Sequence, residues 1–467
     1  MEKKMEKLLP IVSSLLLCAC AAHVETQTTF TENTEVFQNP GQGWERFGHN
    51  TPSKNKVNFG AGYMRYKWKQ LEPEEGKYNW KPIDDAIASF SKDGLPFYFR
   101  IVCVSTSGYP EKLQWPKWVM DKGAKYHEVL LKKPANAKYP DGKLPYIVPE
   151  FADPIFIAAH EKFIKALAAR YDGDPRIGGI DLGSYGNWGE WHCSGLGLGN
   201  YGGHRAAHSE EVRKAWADMY LKNFKKTQII FMTDDAPILA YDLGGAENPR
   251  GGLRRDGVGS KYHFKNWIGS ERYKLTPYMG EVWKKHPIVF EYFGTVEYMQ
   301  SQGWDMPFSL QWVLDNHVSI VNEGPLQPHQ FKAGSEEAKL LRKIDLYAGA
   351  RLVPQSANVL YHNGKWNVKV VGVNKGVSKI YLPYEFLYEV RGADGKVVAE
   401  KVSQKDPRSI LPGEFEISDS FDLPLEKGGE YTLSLRVRNT GKVLRDFRFA
   451  AKNLNTDGSL DLGTIKL

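Results

Sequence analysis

A parallel (β/α)8 barrel followed by an antiparallel β-sandwich is the fold predicted by this 467-residue sequence, and three observations predict it. From residue 36 to residue 324 short β-rich runs alternate with helical stretches, the pattern of parallel strands joined by crossover helices. After residue 345 the alternation changes to period two, with Asp-Gly and Thr-Gly turns between the runs, as in antiparallel hairpins. The length exceeds what one core usually organises, so two domains of unequal size are expected.

The N-terminus reads as an address rather than structure. Lys3, Lys4 and Lys7 precede "LLPIVSSLLLCAC", an apolar run too short to span a bilayer and of the length of a signal-peptide core. Leu17 to Cys20 resembles a bacterial lipobox, which implies a signal peptide over 1–19, lipidation of Cys20 and anchoring to a bacterial outer membrane. Residues 20–35 are polar and unpatterned and are expected to form a tether. No other run approaches eighteen apolar residues, so the membrane is expected to be met only through the lipid.

The barrel is expected over 36–344. Its strand candidates are 43 to 47, 62 to 68, 96 to 104, 177 to 183, 228 to 234, 257 to 264, 287 to 293 and 317 to 322. Helices between them include 82 to 94 and 154 to 171, the latter with apolar residues at three- and four-residue spacing. "GHNTPSKNKVNF" (48 to 59) holds nothing helical, so the first helix is missing or very short. An Ig-like sandwich is expected over 345–467, as a buttress for the barrel, with carbohydrate binding as the alternative.

Composition narrows the function. Hydrophobic residues make up 42% and charged residues 25%, ordinary for a globular protein. The net charge of +7 is interspersed and comes partly from the leader, so no basic stripe points to nucleic acid. Aromatic content is 13%, with 13 Trp and 24 Tyr, and flat amphipathic rings suit stacking on sugar faces. Cys103 and Cys193 fall at predicted strand ends on one face. Outside the cytoplasm a disulfide between them is open, and two separate buried thiols is the alternative. "GLGLGNYGG" opens no helix after a strand and reads as a mobile lid rather than a phosphate loop. "HEVLL" and "HEKFI" lack the second histidine of a zinc helix, and no G-x-S-x-G elbow occurs, so neither metal nor cofactor is expected.

In a parallel barrel chemistry sits at the C-terminal ends of the strands. Glu190, in "SYGNWGEWH", follows strand four between Trp188 and Trp191. Glu291 lies inside the apolar strand "HPIVFEYFG", where an acid is costly unless it faces a polar cavity. Two carboxyl groups across one mouth are the apparatus of glycoside hydrolysis, one kept protonated as the acid and the other attacking the anomeric carbon. Glu281 and Glu297 are the substitutes for Glu291 if the strand count is off.

Longer motifs point the same way. "YMRYKWKQLEPEEGKYNWKPIDDAI" resembles the segment after strand two of clan A glycoside hydrolases, particularly the family 42 β-galactosidase type. "WPKWVM" is similar to the segment after strand three in that family. "FIKALAARYDGDPRIGGIDLGSYGNWGEWH" resembles the helix, turn and fourth strand that lead to its acid/base. The likeness covers roughly residues 60 to 200. "NPGQGW" and "GNWGEWH" also resemble a group of bacterial lipoproteins with a domain of unknown function. The resemblance implies Glu190 as acid/base and Glu291 as nucleophile. It departs at Gly189, where the clan has an asparagine that holds the sugar 2-hydroxyl, and Asn187 is the candidate substitute.

Other strand-end residues are expected to support this pair. Tyr262 and His263 are placed to hydrogen-bond the nucleophile, and Asp234 with Asp235 to hold sugar hydroxyls. Arg65 and Arg100 are placed to orient carboxylates. Trp44, Trp188 and Trp191 are candidate sugar platforms, and His192 stands behind Glu190. The expected function is retaining hydrolysis of a polysaccharide or its oligosaccharides. The alternative is a non-catalytic glycan-binding lipoprotein.

Overall fold

The computed structural model describes residues 23–37, 39–48, 59–106, 112–132, 142–196, 198, 208–324, 326 and 331–467. The signal peptide, Cys20, part of the "GLGLGNYGG" segment and most of the stretch where a first helix was sought lie outside the described residues. Among the described residues no helix is long and apolar enough to cross a membrane.

Eight parallel strands close a barrel: Gly43–Phe47, Phe59–Lys67, Phe97–Val104, Ile177–Asp181, Ile229–Met232, Gly252–Val258, Ile288–Tyr292 and Ile320–Asn322. The eighth pairs with the first, Asn322 opposite Glu45, so no edge remains. The helix over Pro154–Tyr171 keeps the predicted bounds; Asp153 caps it, its carboxylate accepting from the Ile155 and Phe156 amides. An antiparallel hairpin, Tyr126–Lys132 with Lys143–Pro149, is inserted between strands three and four and was not foreseen.

Strand six begins five residues earlier than expected. Its residues are "GLRRDGV", and Tyr262 and His263 fall instead in the short helix Lys261–Lys265 that follows. The difference has a physical cause: three consecutive charged residues interrupt the apolar pattern, and Arg254 and Asp256 find their partners across the barrel.

After the helix Glu336–Tyr347 the chain builds the sandwich from Leu352 onwards, a few residues past the expected boundary. Each of its two sheets has four antiparallel strands. The strand Lys365–Asn374 shows why they pair face to face, since Trp366, Val368 and Val370 are buried while Lys365, Asn367 and Lys369 are exposed. One sheet takes its edge strand from the N-terminus. His23–Thr29 pairs with the strand Leu352–His362, His23 opposite His362, so the expected tether is already a strand from residue 23.

The sandwich meets the barrel at the N-terminal ends of its strands. The Asn39 side chain accepts from the Arg448 amide at 2.9 Å and the Gln42 side chain donates to the Ala350 carbonyl at 2.9 Å, both just before strand one. The Arg445 amide donates to the Gly94 carbonyl at 3.0 Å before strand three, and His317 meets the Val377 carbonyl at 2.6 Å before strand eight. The sandwich therefore closes the floor, and the C-terminal mouth is on the opposite side.

Candidate active site

Inside the barrel the lower layer is apolar and aromatic, built from Ala61, Tyr63, Tyr98, Ile230, Val289 and Ile320. Above it the inward positions turn ionic. Arg65, Arg100 and Arg254 face Glu45, Asp181, Glu190, Asp256 and Glu291. Arg254 is the hub, 2.5 Å from Glu291, 2.9 Å from Asp256, 3.2 Å from Glu45 and 3.6 Å from Asp181, with its guanidinium 4.2 Å from the centroid of the Tyr63 ring. The Tyr63 hydroxyl donates to Asp181 at 2.7 Å.

Five acids outnumber three guanidiniums, and burial resolves the excess. Desolvation raises the Glu45 carboxyl from 4.5 to about 7, against the pull of Arg254. Burial, then the neighbouring charge of Asp256, also raises Glu190, against His192, Arg65 and Arg100. Burial thus favours the protonated form at both Glu45 and Glu190.

Glu190 and Glu291 meet where the strand count places them. Oxygen atoms of Glu190, Asp256 and Glu291 lie within 4.8 Å of one another, and the two glutamates are each 8% exposed at the mouth. Such an acidic trio has the donors of a cation site, but Arg65, Arg100 and Arg254 already supply the positive charge. Arg65 donates to both oxygens of Glu291 at 2.7 Å and stands 3.5 Å from Glu190. Arg100 donates to Asp181 at 3.0 Å and to Glu190 at 3.3 Å. His192 reaches Glu190 through Nε2 at 3.3 Å.

The backbone that carries Glu190 is strained. Strand four breaks off after Asp181 and resumes pairing with strand three over Ser184–Asn187 with an irregular register, a device common beside active sites. From there Ser184, Gly186, Trp188, Gly189 and Trp191 all adopt positive φ. Gly189 explains the departure from the clan: φ is +69°, and a Cβ there would lie 2.9 Å from the Ile101 carbonyl oxygen. No asparagine fits this turn. Asn187 does not replace it, because its side chain is buried and committed to Thr106 and the Ser194 carbonyl.

Several expected contacts are corrected. Trp44 is fully buried and donates to Asp345 at 2.7 Å on the outer side of strand one. Trp191 is 2% exposed and donates to the Leu182 carbonyl at 2.7 Å, holding the turn. Neither offers a face to a sugar; Trp188, half-buried and edge-on to His192 at 5.6 Å, is the one of the three that remains at the mouth. Asp235 caps the helix Ala236–Leu243 and is ion-paired with Arg213, so it is structural. Asp234 lies 3.4 Å from Arg255. Tyr262 accepts from Arg272 at 3.0 Å, and His263 stands 6.2 Å from the Phe293 ring. Cys103 and Cys193 are both buried thiols, near His160 and Tyr185 respectively, and the disulfide is not formed.

The aromatic faces at the mouth come from elsewhere. Phe47 and Phe293, at the ends of strands one and seven, are 40% and 43% exposed, and Phe293 packs with Tyr298 and Trp304. Sequence reasoning missed these, and also Glu45, Asp181, Arg254 and Asp256. Asp181 sat in a strand already identified, and the argument used for Glu291, an acid in an apolar strand, would have found it.

Residues 54–193 match the glycoside hydrolase family 42 model, described as β-galactosidase, and the match includes Glu190. β-Galactosidase BgaA of a Thermus species is 26% identical over 192 residues, covering 38% of this chain and 27% of that protein. A β-galactosidase of Thermus thermophilus is 28% identical over 116 residues, 25% of this chain and 16% of that protein. The chain thus spans about a quarter or less of the length of these relatives. Among solved structures, xylanase 10B of Thermotoga petrophila aligns at 12% identity with a TM-score of 0.36, over 65% of this chain and 93% of that one. Through its closed eight-stranded barrel and the segment leading to Glu190, the chain resembles the clan A glycoside hydrolases of the family 42 β-galactosidase type.

Proposed function

We propose that the protein is a retaining glycoside hydrolase acting on a polysaccharide or its oligosaccharides, with β-galactosides the first class to test. One observation carries the reading: carboxyl oxygens of Glu190 and Glu291 within 4.8 Å of each other at the mouth, where a retaining pair stands at roughly 5 Å. Glu291 attacks the anomeric carbon as Glu190 gives its proton to the departing oxygen. Glu190 then takes a proton from water, whose oxygen displaces Glu291 from the sugar. Arg65 and Arg254 hold the attacking carboxylate in place. Phe47, Phe293 and Trp188 are the stacking surfaces in this reading.

Gly189 and the Arg65 bridge between the two glutamates favour a second reading, a glycan-binding barrel without turnover. Assay of purified protein against aryl glycosides and polysaccharides separates the two. In an enzyme Glu190→Gln and Glu291→Ala each lower turnover by about 100-fold or more while glycan binding persists; a binder has no turnover to lose.

We also propose that Cys20 carries a lipid. Two residues then separate the anchor from the strand His23–Thr29, whose first residue lies at the end of the sandwich away from the barrel. The support for this is the lipobox resemblance together with that register, and in this arrangement the mouth faces away from the bilayer. Metabolic labelling with a fatty-acid analogue, lost in Cys20→Ser, tests it.

A further inference from the structure

Asp256 has no part in the two-glutamate scheme, yet it stands between its members. It faces inward on strand six, with its Cα opposite that of Glu291. Its Oδ1 accepts from Arg254 at 2.9 Å, and its Oδ2 accepts from Arg100 at 3.0 Å and from Arg65 at 3.3 Å. Burial penalises its charge, but three guanidiniums outweigh burial and hold it well below the usual carboxylate range. A carboxyl oxygen of Asp256 lies within 4.8 Å of one on Glu190 and of one on Glu291. Two carboxylates this close repel, so one of them is favoured in its protonated form, and the one gripped by three arginines is the ionised partner. The proton therefore belongs to Glu190.

We propose that Asp256 is the positioning residue of the acid/base: its carboxylate, gripped by Arg65, Arg100 and Arg254 beside Glu190, keeps the acid's proton on Glu190 in the resting site. The inference rests on reading Glu190 as the acid/base. In the first step the Glu190 O–H bond breaks and its proton passes to the glycosidic oxygen, as the bond from C1 to Glu291 forms and the bond from C1 to the leaving oxygen breaks. Glu190 is then a carboxylate beside the ionised Asp256, and that repulsion strengthens it as the base that takes a proton from water. Asp256 remains ionised in both steps.

The groups facing Glu190 are Arg65 from strand two, Arg100 from strand three, His192 from its own loop, Asp256 from strand six and Glu291 from strand seven. In Asp256→Asn the arginines and His192 remain while one negative charge is lost, so Glu190 releases its proton at lower pH. The test is a titration of Glu190 by carbon NMR of protein labelled at the glutamate carboxyl carbon, assigned with Glu190→Gln, in wild type and in Asp256→Asn. The pH profile of kcat/KM is measured beside it on whichever aryl glycoside the wild type cleaves. The midpoint of Glu190, and with it the basic limb of the profile, is expected to fall by about one pH unit or more. A folded Asp256→Asn whose Glu190 titrates as in wild type overturns the proposal, even if glycosidase activity is established. So does a wild-type Glu190 midpoint in the ordinary carboxyl range, a measurement that needs no variant. A lowered midpoint in a protein that cleaves nothing leaves the pairing intact and defeats the glycosidase reading instead.

Discussion

Glu45 gives the clearest quantitative test of the ionic layer, because its effect is on stability and does not depend on the substrate. The residue is fully buried in the middle of strand one, 2.7 Å from the Asn322 side-chain amide and 3.2 Å from Arg254. Burial raises its carboxyl from 4.5 to about 7. An acid raised on folding is protonated in the native state over a range where the unfolded chain has already ionised. Native stability therefore falls as pH rises from about 4.5 to 7, and is level with respect to this group above that. At about 1.4 kcal/mol per pH unit, the loss amounts to about 3 kcal/mol. Glu45→Gln keeps the shape and an acceptor for Asn322 and removes the titration. Urea denaturation of both proteins at pH 5, 6, 7 and 8 is expected to show near-equal stability at pH 5 and the variant ahead by about 3 kcal/mol at pH 8. Parallel stability curves, or a variant that loses ground as pH rises, would refute the argument that burial dominates at this site.

Three further outcomes follow from the same geometry. Gly189→Asn, which restores the residue usual in the clan, is expected to destabilise the barrel by about 2–4 kcal/mol, through its positive φ and the contact with the Ile101 carbonyl; thermal unfolding reads it, and a neutral effect would show that the turn can open. Phe293→Ala is expected to raise KM by about 2- to 10-fold with a smaller change in kcat, as loss of a stacking face does; equal KM values would remove Phe293 from the sugar surface. Alkylation in denaturant without reductant is expected to label Cys103 and Cys193 both, read by peptide mass, whereas a linked unlabelled pair would restore the disulfide.

Features legible in the chain alone are local or periodic. Alternating β and helical runs fixed the barrel class, since each pattern is written in consecutive residues and depends on no distant partner. Seven of the eight strands were located to within a few residues, and Glu190 and Glu291 were found because a motif and an apolar strand framed them. Strand six failed where that logic runs out. "GLRRDGV" is a strand only because Arg254 and Asp256 find Glu45, Arg65, Arg100, Glu190 and Glu291 across the barrel, on residues up to 209 positions away in sequence. The tertiary structure alone decided which tryptophans pack and which face the mouth, because Trp44 and Trp191 are held by hydrogen bonds to Asp345 and Leu182 that no spacing announces. It alone set the sandwich on the floor of the barrel and joined residues 23–29 to it. The physical reason is the same in each case. Burial and charge compensation are properties of the assembled interior, and a residue's cost or value there depends on neighbours that the chain brings together only by folding.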